Sequence, residues 1–411
     1  MNSTIIAGLD IGNGYVKGAF DGNNNEKVNV DISSCVAGIV EPPAIPSIPD
    51  TSFMNDIFNR MVCQFKTPLI RDSRYFSFGG GALTSNRSLV EFDIADNISK
   101  ADQELSSVLV LGVCAGAALQ NYFNAYGKLP DNKLSVNVQL ALALPIDEYK
   151  EHRDAFSNKF VSTDHEVVFW NFEDTVVVKL HFLKPNVMPE GVSAQFAIVN
   201  KGEAFVQAML DDVRSKDPKA LAGITAADII NCTNTCGIDI GEGTVNFPVI
   251  SSGRFNQQAS VTLQKGYGTI LEQSIPRILK ANMAFNTRKA LADFMIQPTN
   301  AFNAKKKHTA EDIITSEAVD LVNEITRQVS AILSGGAGTE VIYVYGGGAT
   351  PMKRALYDEL IARTSRFSGG DPFPILYLDS SYARNLNRQG LYDVAKADYE
   401  VSVKSGLMEA H

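Results

Sequence analysis

The chain has 411 residues, a formal net charge of -9, 45% hydrophobic residues and 20% charged residues. A single hydrophobic core rarely grows beyond roughly 250–300 residues, so this length predicts at least two domains. The acidic charge disfavours direct binding to nucleic acid or to an anionic membrane, because both are negatively charged. The 5 cysteines include no Cys-x-x-Cys pair, so neither a disulfide framework nor a structural zinc site is expected.

The N-terminal segment 1–6 has no basic region and leads directly into an apolar run, so no signal peptide is expected. We expect every apolar run to fall short of the roughly 18–20 residues that span a membrane. Neither end of the chain has the pattern of a basic amphipathic anchor. These features predict a cytoplasmic protein without a membrane contact.

A nine-residue motif occurs twice in the chain. It reads GLDIGNGYV from Gly8 and GIDIGEGTV from Gly237, with the same residue at six of the nine positions. Each copy has an apolar run typical of a buried strand, then an Asp, a Gly-x-Gly turn and a second β-branched run. The turn glycines allow positive φ and remove Cβ atoms, so backbone N–H groups can approach an anion. The Asp, which is Asp10 or Asp239, can accept a hydrogen bond from a metal-bound water.

A single copy of this motif could be an ordinary Asp-Gly hairpin turn, which is common in proteins. The duplication, with the Asp at the same position in both copies, favours a function instead. Two such turns that face each other would hold a polyphosphate from both sides.

A third glycine-rich segment follows a strand-like run at 341–345. Gly346, Gly347 and Gly348 come directly after this run, and 350–360 has a helical pattern with Pro351 in its first turn. A glycine turn before a helix N-terminus suits a nucleotide, because N–H groups and the helix dipole point outwards there. A flexible strand–helix loop explains the same residues equally well. The segment lacks both the P-loop ending and the Rossmann pattern.

Two further segments have a pattern of their own. Apolar residues at steps of three and four predict one amphipathic helix over about 310–333, whose buried face packs in a core. These residues are Ile314, Ala318, Leu321, Ile325, Val329 and Ile332. The preceding Lys305–Lys306–Lys307 run is expected to be a solvated loop.

A carboxylate follows the apolar strand predicted at 138–144. Pro145 ends this strand, and Asp147 or Glu148 begins a polar helix that continues to Lys159. Such a carboxylate could orient a water for attack on a γ-phosphate. The residues alone favour helix capping by Asp147 and an ordinary first-turn charge at Glu148.

The order of these motifs resembles that of the actin superfamily, and most of all the bacterial plasmid-segregation actins, the ParM-like proteins. The corresponding parts are a first phosphate loop at 10–14, a connecting segment at 144–149, a second phosphate loop at 239–244 and an adenosine loop at 346–348. The stretch 187–191 is similar to the one that leads those proteins into their second domain. The resemblance extends over nearly the whole chain.

The resemblance implies an α/β, actin-like (ribonuclease H-like) ATPase fold with two related domains on either side of a nucleotide cleft. Each domain would be built on a five-stranded sheet. Domain I would comprise 1–190 and 376–411, and domain II would comprise 191–375. The segment 384–397 would be a helix that returns to domain I, with Leu386, Leu391 and Val394 on its buried face.

The resemblance also implies a function, which is a nucleotide-dependent polymerising protein that hydrolyses ATP or GTP with Mg2+. Dynamic filaments of such proteins separate plasmids through a DNA-bound adaptor protein. The implied catalytic residues are Glu148, Asp10 and Asp239, and the two aspartates would hold Mg2+ through water. The implied nucleotide-binding residues are Gly12, Asn13, Gly14, Tyr15, Lys17, Gly241, Glu242, Gly243, Thr244, Lys265, Glu272, Gly346, Gly347, Gly348 and Met352. Asn246 departs from the pattern, because many relatives have Asp there.

Proteins of the same fold have three other functions that are alternatives for this chain. A sugar or acid kinase would use a base such as Asp147 near an acceptor hydroxyl, but the sequence has no convincing sugar-pocket signature. A chaperone ATPase would continue into a long substrate-binding region. A membrane-tethered division actin would have a terminal amphipathic helix. The choice between ATP and GTP stays open.

Overall fold

A computed structural model describes residues 3–22, 27–44, 50–93, 98–131, 133–336 and 338–404 of the chain. These residues form two compact units. Unit 1 contains the described parts of 3–144, 148–189 and 388–404, and unit 2 contains those of 145–147 and 190–387. The structure therefore divides the chain before Glu190 and before Arg388, whereas the predicted boundaries are 190/191 and 375/376.

Unit 1 is an α/β unit. Its strands are β1 (Ser3–Ile11), β2 (Tyr15–Asp21), β3 (Lys27–Ser33), β4 (Val36–Ile39), β5 (Val62–Lys66), β6 (Tyr75–Phe78), β7 (Leu89–Val90), β8 (Leu134–Leu144), β9 (His165–Phe169), β10 (Val176–Phe182) and β11 (Asn186–Pro189). The helices of this part of the chain are α1 (Asp50–Met54), α2 (Ile57–Arg60), α3 (Gly79–Thr84), α4 (Glu104–Tyr126) and α5 (Ile146–Val161).

The unit 1 sheet has the order β3-β2-β1-β8-β10-β9-β5-β6-β4-β7, and β11 also pairs with β8. Strands β1 to β3 are antiparallel neighbours, while β1, β8 and β10 run parallel. The first five strands in this order match the predicted five-stranded sheet. The strands beyond β10 extend it in a way that the sequence analysis did not predict.

Unit 2 is also an α/β unit. Its strands are β12 (Thr235–Ile240), β13 (Val245–Phe247), β14 (Val249–Ser251), β15 (Arg254–Phe255), β16 (Val261–Leu263), β17 (Val341–Tyr345) and β18 (Ile375–Tyr377). The helices are α6 (Val192–Asn200), α7 (Glu203–Lys216), α8 (Ala226–Asn231), α9 (Tyr267–Lys280), α10 (Arg288–Ile296), α11 (Ala304–Glu317), α12 (Val319–Ser334) and α13 (Ala349–Thr364). The last helix, α14 (Ser380–Lys404), begins in unit 2 and ends in unit 1.

The core of the unit 2 sheet has the order β16-β13-β12-β17-β18. Strand β12 is antiparallel to β13 and parallel to β17, and β17 is parallel to β18. This is the same order and the same set of directions as β3-β2-β1-β8-β10 in unit 1. The repeated motif therefore opens two sheets of the same design, as the sequence predicts.

Helix α4 is the central helix of unit 1. Among the described residues it is the one helix that is long and apolar enough to cross a membrane, with a mean hydropathy of 1.4 over its most apolar window. However, 89% of that window is buried within the protein, as expected for a core helix. The apolar sequence of α4 is explained by packing on the sheet.

The predicted helix over 310–333 is two helices, α11 and α12, which meet at Ala318. All six residues of the predicted apolar face are buried, so the packing prediction is confirmed. The apolar period continues through the junction, which is why the sequence does not reveal the break. The prediction of a solvated loop at 305–307 was wrong, because these lysines lie in α11 and Lys307 is buried.

Helix α14 is longer than the predicted segment 384–397. Leu386 is buried in the core of unit 2, and Leu391 is buried in unit 1 against β1 and β8 residues such as Ile6 and Ala141. Val394 packs at the edge of this second cluster. The predicted buried face is therefore confirmed, although it serves both units.

Gly8, the first residue of the repeated motif, allows α14 to pack closely on β1. A Cβ atom at Gly8 would lie 2.1 Å from the backbone nitrogen of Tyr392. Because a helix backbone cannot move aside locally, we expect Gly8→Ala to lower the free energy of unfolding by about 1–3 kcal/mol. Urea denaturation would measure this loss. The matched control is Gly80→Ala in α3, where the nearest atom to the new Cβ is 3.6 Å away. Equal stabilities of the two variants would contradict the packing argument.

Candidate functional site

The first hairpin of unit 1 connects β1 to β2. Asp10 pairs with Lys17 and Ile11 with Val16, and the Gly12 N–H donates to the Tyr15 carbonyl at 3.0 Å. Asp10 is 7% exposed, and its Oδ2 lies 3.9 Å from the Lys17 ammonium. The hairpin thus places a buried carboxylate and a cation directly below a glycine turn.

Ser34, which follows β3, holds this turn from one side. Its N–H donates to the Gly14 carbonyl at 2.9 Å, and its hydroxyl donates to the Gly12 carbonyl at 2.6 Å. These two carbonyl oxygens would repel an anion if they faced it. Because Ser34 binds both, the turn is fixed with these oxygens turned towards β3. Ser34 was not identified in the sequence analysis.

The second hairpin, between β12 and β13, repeats this geometry within unit 2. Asp239 pairs with Asn246 and Ile240 with Val245, and the Gly241 N–H donates to the Thr244 carbonyl at 2.9 Å. A Cβ at Gly12 or at Gly241 would lie 3.0 Å from the carbonyl oxygen that each glycine N–H contacts. Both turns therefore have the same register, the same hydrogen bond and the same steric need for glycine.

Asp239 is 5% exposed and lies against the triple-glycine segment. Its Oδ2 accepts a hydrogen bond of 2.7 Å from the Asn387 side chain. Gly346 has φ +95, and a Cβ there would be 2.4 Å from Asp239 Oδ1. The Gly348 N–H donates to the Ile240 carbonyl at 2.8 Å. The structure therefore brings the predicted adenosine loop and the second phosphate loop together.

The three glycines of this segment have different surroundings. A Cβ at Gly348 would lie 2.5 Å from Cγ2 of Ile240, so Gly346 and Gly348 are both required by close packing. Gly347 is exposed, and no atom lies within 4 Å of its Cβ position. Of the three, Gly347 is the one whose surface is open to a ligand. Met352, in the first turns of α13, is 1% exposed in the unit 2 core, which favours packing over nucleotide contact.

Asn246, the residue that departs from the family pattern, is buried and connects other side chains through hydrogen bonds. Its amide nitrogen donates to Glu190 Oε2 at 2.8 Å, and its oxygen accepts from the Thr262 hydroxyl at 2.7 Å. An Asp here would place two carboxylates in contact in a buried site, which disfavours ionisation of both. A neutral Asn side chain at position 246 is therefore compatible with the neighbouring Glu190, whereas an Asp would not be. No motif in the sequence indicates this role of Glu190.

Helix α9 begins against the second hairpin turn, which is the predicted second phosphate loop. Its first N–H groups donate to the loop carbonyls, from Tyr267 to Gly241 at 3.0 Å and from Gly268 to Glu242 at 2.8 Å. A Cβ at Gly268 would lie 2.9 Å from that Glu242 oxygen. Loop carbonyls therefore satisfy donors that a helix N-terminus leaves without partners.

The side chain of Glu242 turns to Arg288 at the start of α10. Arg288 Nε donates to Glu242 at 2.8 Å, and Nη1 donates to Glu272 at 2.7 Å. Burial would lower the pKa of Arg288, but the two glutamates raise it above its ordinary value. Arg288 was missed in the sequence analysis because no motif marks it. Lys265, in contrast, forms an ion pair with Glu324 at 2.6 Å.

Glu148, the predicted catalytic carboxylate, lies in the first turns of α5 within unit 1. Its Oε2 accepts hydrogen bonds from the Ser99 hydroxyl at 2.7 Å and from the Lys100 N–H at 2.8 Å. Lys159, near the other end of α5, donates to the Ala101 carbonyl at 2.6 Å, and burial lowers its pKa to about 8. Helix α5 therefore holds the segment before α4 at two points. Glu148 therefore stabilises this segment, a role that the sequence did not indicate.

No group of three or more His, Cys, Asp or Glu side chains in the described part of the chain could hold a metal ion directly. Mg2+ in nucleotide sites keeps several waters and uses one or two carboxylates together with phosphate oxygens. Asp10 in unit 1 and Asp239 in unit 2 are each a buried carboxylate beside a glycine turn, so each is a group of the kind that can hold Mg2+ through water.

Two sheets of the same design, each opening with the same hairpin, are typical of an actin-like α/β fold. Residues 8–192 match the family model described as "Actin like proteins N terminal domain". The chain matches no curated protein sequence. The family match confirms the resemblance to the actin superfamily that the motifs indicate.

Solved structures share this fold over nearly the full length of the chain. Alp7A, an actin-like protein, has a TM-score of 0.67 and 18% identity, with 100% of each chain covered. ParM of Bacillus thuringiensis with ATP has a TM-score of 0.62 and 15% identity, covering 97% of this chain and 100% of that one. A 15-stranded ParM filament of Clostridium botulinum has a TM-score of 0.59 and 16% identity, covering 97% and 100%. At these identities the similarity establishes the fold.

Proposed function

We propose that this protein binds a nucleoside triphosphate through its two hairpin turns and its triple-glycine segment. The observation that supports this most is the duplicated hairpin. A buried Asp precedes a glycine turn with the same register and the same N–H to carbonyl hydrogen bond in both units. A turn retained with this geometry in two separate sheets is better explained by a shared ligand than by chain reversal alone.

In this proposal the turns bind the phosphates, and the open Gly347 is next to the nucleoside. Asp10 and Asp239 would hold Mg2+ through water, and the bound ion would neutralise phosphate charge. Lys17, next to Asp10, would supply a further positive charge. The ParM structures solved with ATP and with AMPPNP share the fold of this chain and support the choice of ligand.

We further propose that the protein hydrolyses this nucleotide, with Glu148 orienting the attacking water. Phosphoryl transfer to water depends mainly on positioning and on electrostatic stabilisation, which a fixed carboxylate can provide. The hydrogen bonds from Ser99 and Lys100 use one Glu148 oxygen, Oε2. The same bonds fix the orientation of the carboxylate, as a water-positioning group requires.

Self-association into filaments that turn over with hydrolysis is the cellular activity that we propose, with plasmid partition in the bacterial cytoplasm as its purpose. The filament described for a ParM of the same fold supports self-association. The net charge of -9 disfavours direct contact with DNA, so a DNA-bound adaptor protein would connect filament and plasmid.

The test is to mix the purified chain with Mg2+ and either ATP or GTP, with no other substrate. We expect a rise in light scattering followed by phosphate release and a fall in scattering, because assembly requires the triphosphate. EDTA and the non-hydrolysable analogue AMPPNP are the controls, and AMPPNP should give assembly without decay. A chain that stays monomeric and idle until a small hydroxyl or acid acceptor is added would instead support an actin-fold kinase.

A further inference from the structure

The second phosphate loop contains a negative charge where an anionic ligand is expected. Glu242 stands between Gly241 and Gly243, at the position of the neutral Asn13 in the first loop. A free carboxylate at this position would repel a polyphosphate, and the repulsion would be strong because the surrounding site is partly buried. The proposed ligand therefore requires that the charge of Glu242 be compensated.

Arg288 supplies this compensation. Its side chain is 17% exposed, while that of Glu242 is 26% exposed, and the Nε–Oε1 distance is 2.8 Å. Its Nη1 is also bound to Glu272 on α9 at 2.7 Å. A guanidinium held by two carboxylates has a fixed orientation. The loop itself is held from the other side by the α9 N–H groups, so Glu242 cannot easily turn away from Arg288.

We propose that Arg288 is a positioning residue that neutralises Glu242 and thereby sets the affinity of the second loop for triphosphates. The proposal rests on the proposed nucleotide binding and deepens it. Arg288 acts through Glu242 and is not itself required to touch the ligand. Its effect should grow with the negative charge of the ligand, from a nucleoside monophosphate to a triphosphate.

The experiment measures dissociation constants of ATP, ADP and AMP, or of the guanine nucleotides if these bind better, for the full-length chain and four variants. The variants are Arg288→Gln, Arg288→Lys, Glu242→Gln and the double variant Arg288→Gln/Glu242→Gln. We expect Arg288→Gln to weaken triphosphate binding about tenfold at low salt and less at high salt, because the repulsion is screened. Arg288→Lys should fall between wild type and Arg288→Gln, since it keeps the charge but cannot bind both glutamates in the same geometry.

The decisive result is the double variant, which should recover triphosphate affinity to within about threefold of wild type, because it removes the uncompensated charge. If the Arg288–Glu242 ion pair only stabilises the fold, the opposite is expected. Arg288→Lys should then bind triphosphate as weakly as Arg288→Gln, and the double variant should bind it no more tightly. That result would overturn the proposal. Arg277→Gln, which breaks an ion pair with Glu317 near the other end of α9, is the matched control.

Thermal unfolding of each variant separates loss of fold from loss of affinity. If wild type binds nucleotide but Arg288→Gln binds equally well, the role of Arg288 is wrong and the proposed function stands. If wild type binds no nucleotide of any kind, both proposals fail.

Discussion

Asp239→Asn is expected to weaken binding of Mg2+-ATP by about 10–100-fold, the usual cost of removing a group that orients a metal ion through its outer shell. The change removes the negative charge but keeps an oxygen that can accept the hydrogen bond from Asn387. Titration with a fluorescent ATP analogue, with Mg2+ and with EDTA, measures the affinity and its dependence on the metal. Asp131→Asn, on an exposed turn beside Lys128, is the matched control.

Asp10→Asn is expected to have a related but distinguishable effect. The Lys17 ammonium lies 3.9 Å from Asp10 Oδ2, so removing the carboxylate charge leaves this cation without the counter-charge of Asp10. The register of the second hairpin places the neutral Asn246 opposite Asp239 instead. Binding of nucleotide in EDTA should therefore be better in Asp10→Asn than in Asp239→Asn. If neither variant changes the Mg2+ dependence, the proposed metal role of both aspartates is wrong.

The repeated motif allowed the fold to be predicted because it combines a Gly-x-Gly turn with flanking apolar runs that are typical of strands. Strand β17 and helix α13 were predicted at 341–345 and 350–360, close to their actual bounds. However, the first glycine of each motif has a role that the sequence does not reveal. A Cβ at Gly8 would meet Tyr392, while one at Gly237 would lie 2.3 Å from the Tyr345 hydroxyl. These glycines permit close packing, and only the later ones shape the turns.

The residues that hold the candidate site were missed for a common physical reason. Each is a single polar residue far along the chain from the loop that it contacts, and no spacing rule links the two. They are Ser34 below the first turn, Asn387 on Asp239, Glu190 on Asn246 and Arg288 on Glu242. An acidic residue inside a glycine turn was the one available signal, since a buried or half-buried charge needs a partner. This signal predicts an arginine or lysine next to Glu242 but does not identify the residue.

Glu148→Gln is expected to slow nucleotide hydrolysis about a hundredfold, while nucleotide binding and assembly persist. Glutamine keeps an oxygen that can accept a hydrogen bond from the 99–100 segment, but it cannot act as an anionic acceptor towards water. Filaments of this variant should therefore be long-lived. Single-turnover phosphate release measures the rate, and light scattering measures filament lifetime. Glu151→Gln, one turn later on the exposed face of α5, is the matched control.

The hydrogen bonds of Glu148 create a second way in which its loss could slow the reaction. Without this acceptor the Ser99 hydroxyl and the Lys100 N–H would lose a partner, and the segment before α4 could shift although Lys159 still binds Ala101. Ser99→Ala removes one of these bonds, together with the hydrogen bond that the Ala101 N–H donates to the Ser99 hydroxyl, and leaves the carboxylate in place. If Glu148 acts on water, Ser99→Ala should hydrolyse within about tenfold of wild type, since each of these hydrogen bonds contributes only about 1 kcal/mol. If Ser99→Ala is as slow as Glu148→Gln, Glu148 serves to hold this segment, and the water-positioning group must be sought elsewhere.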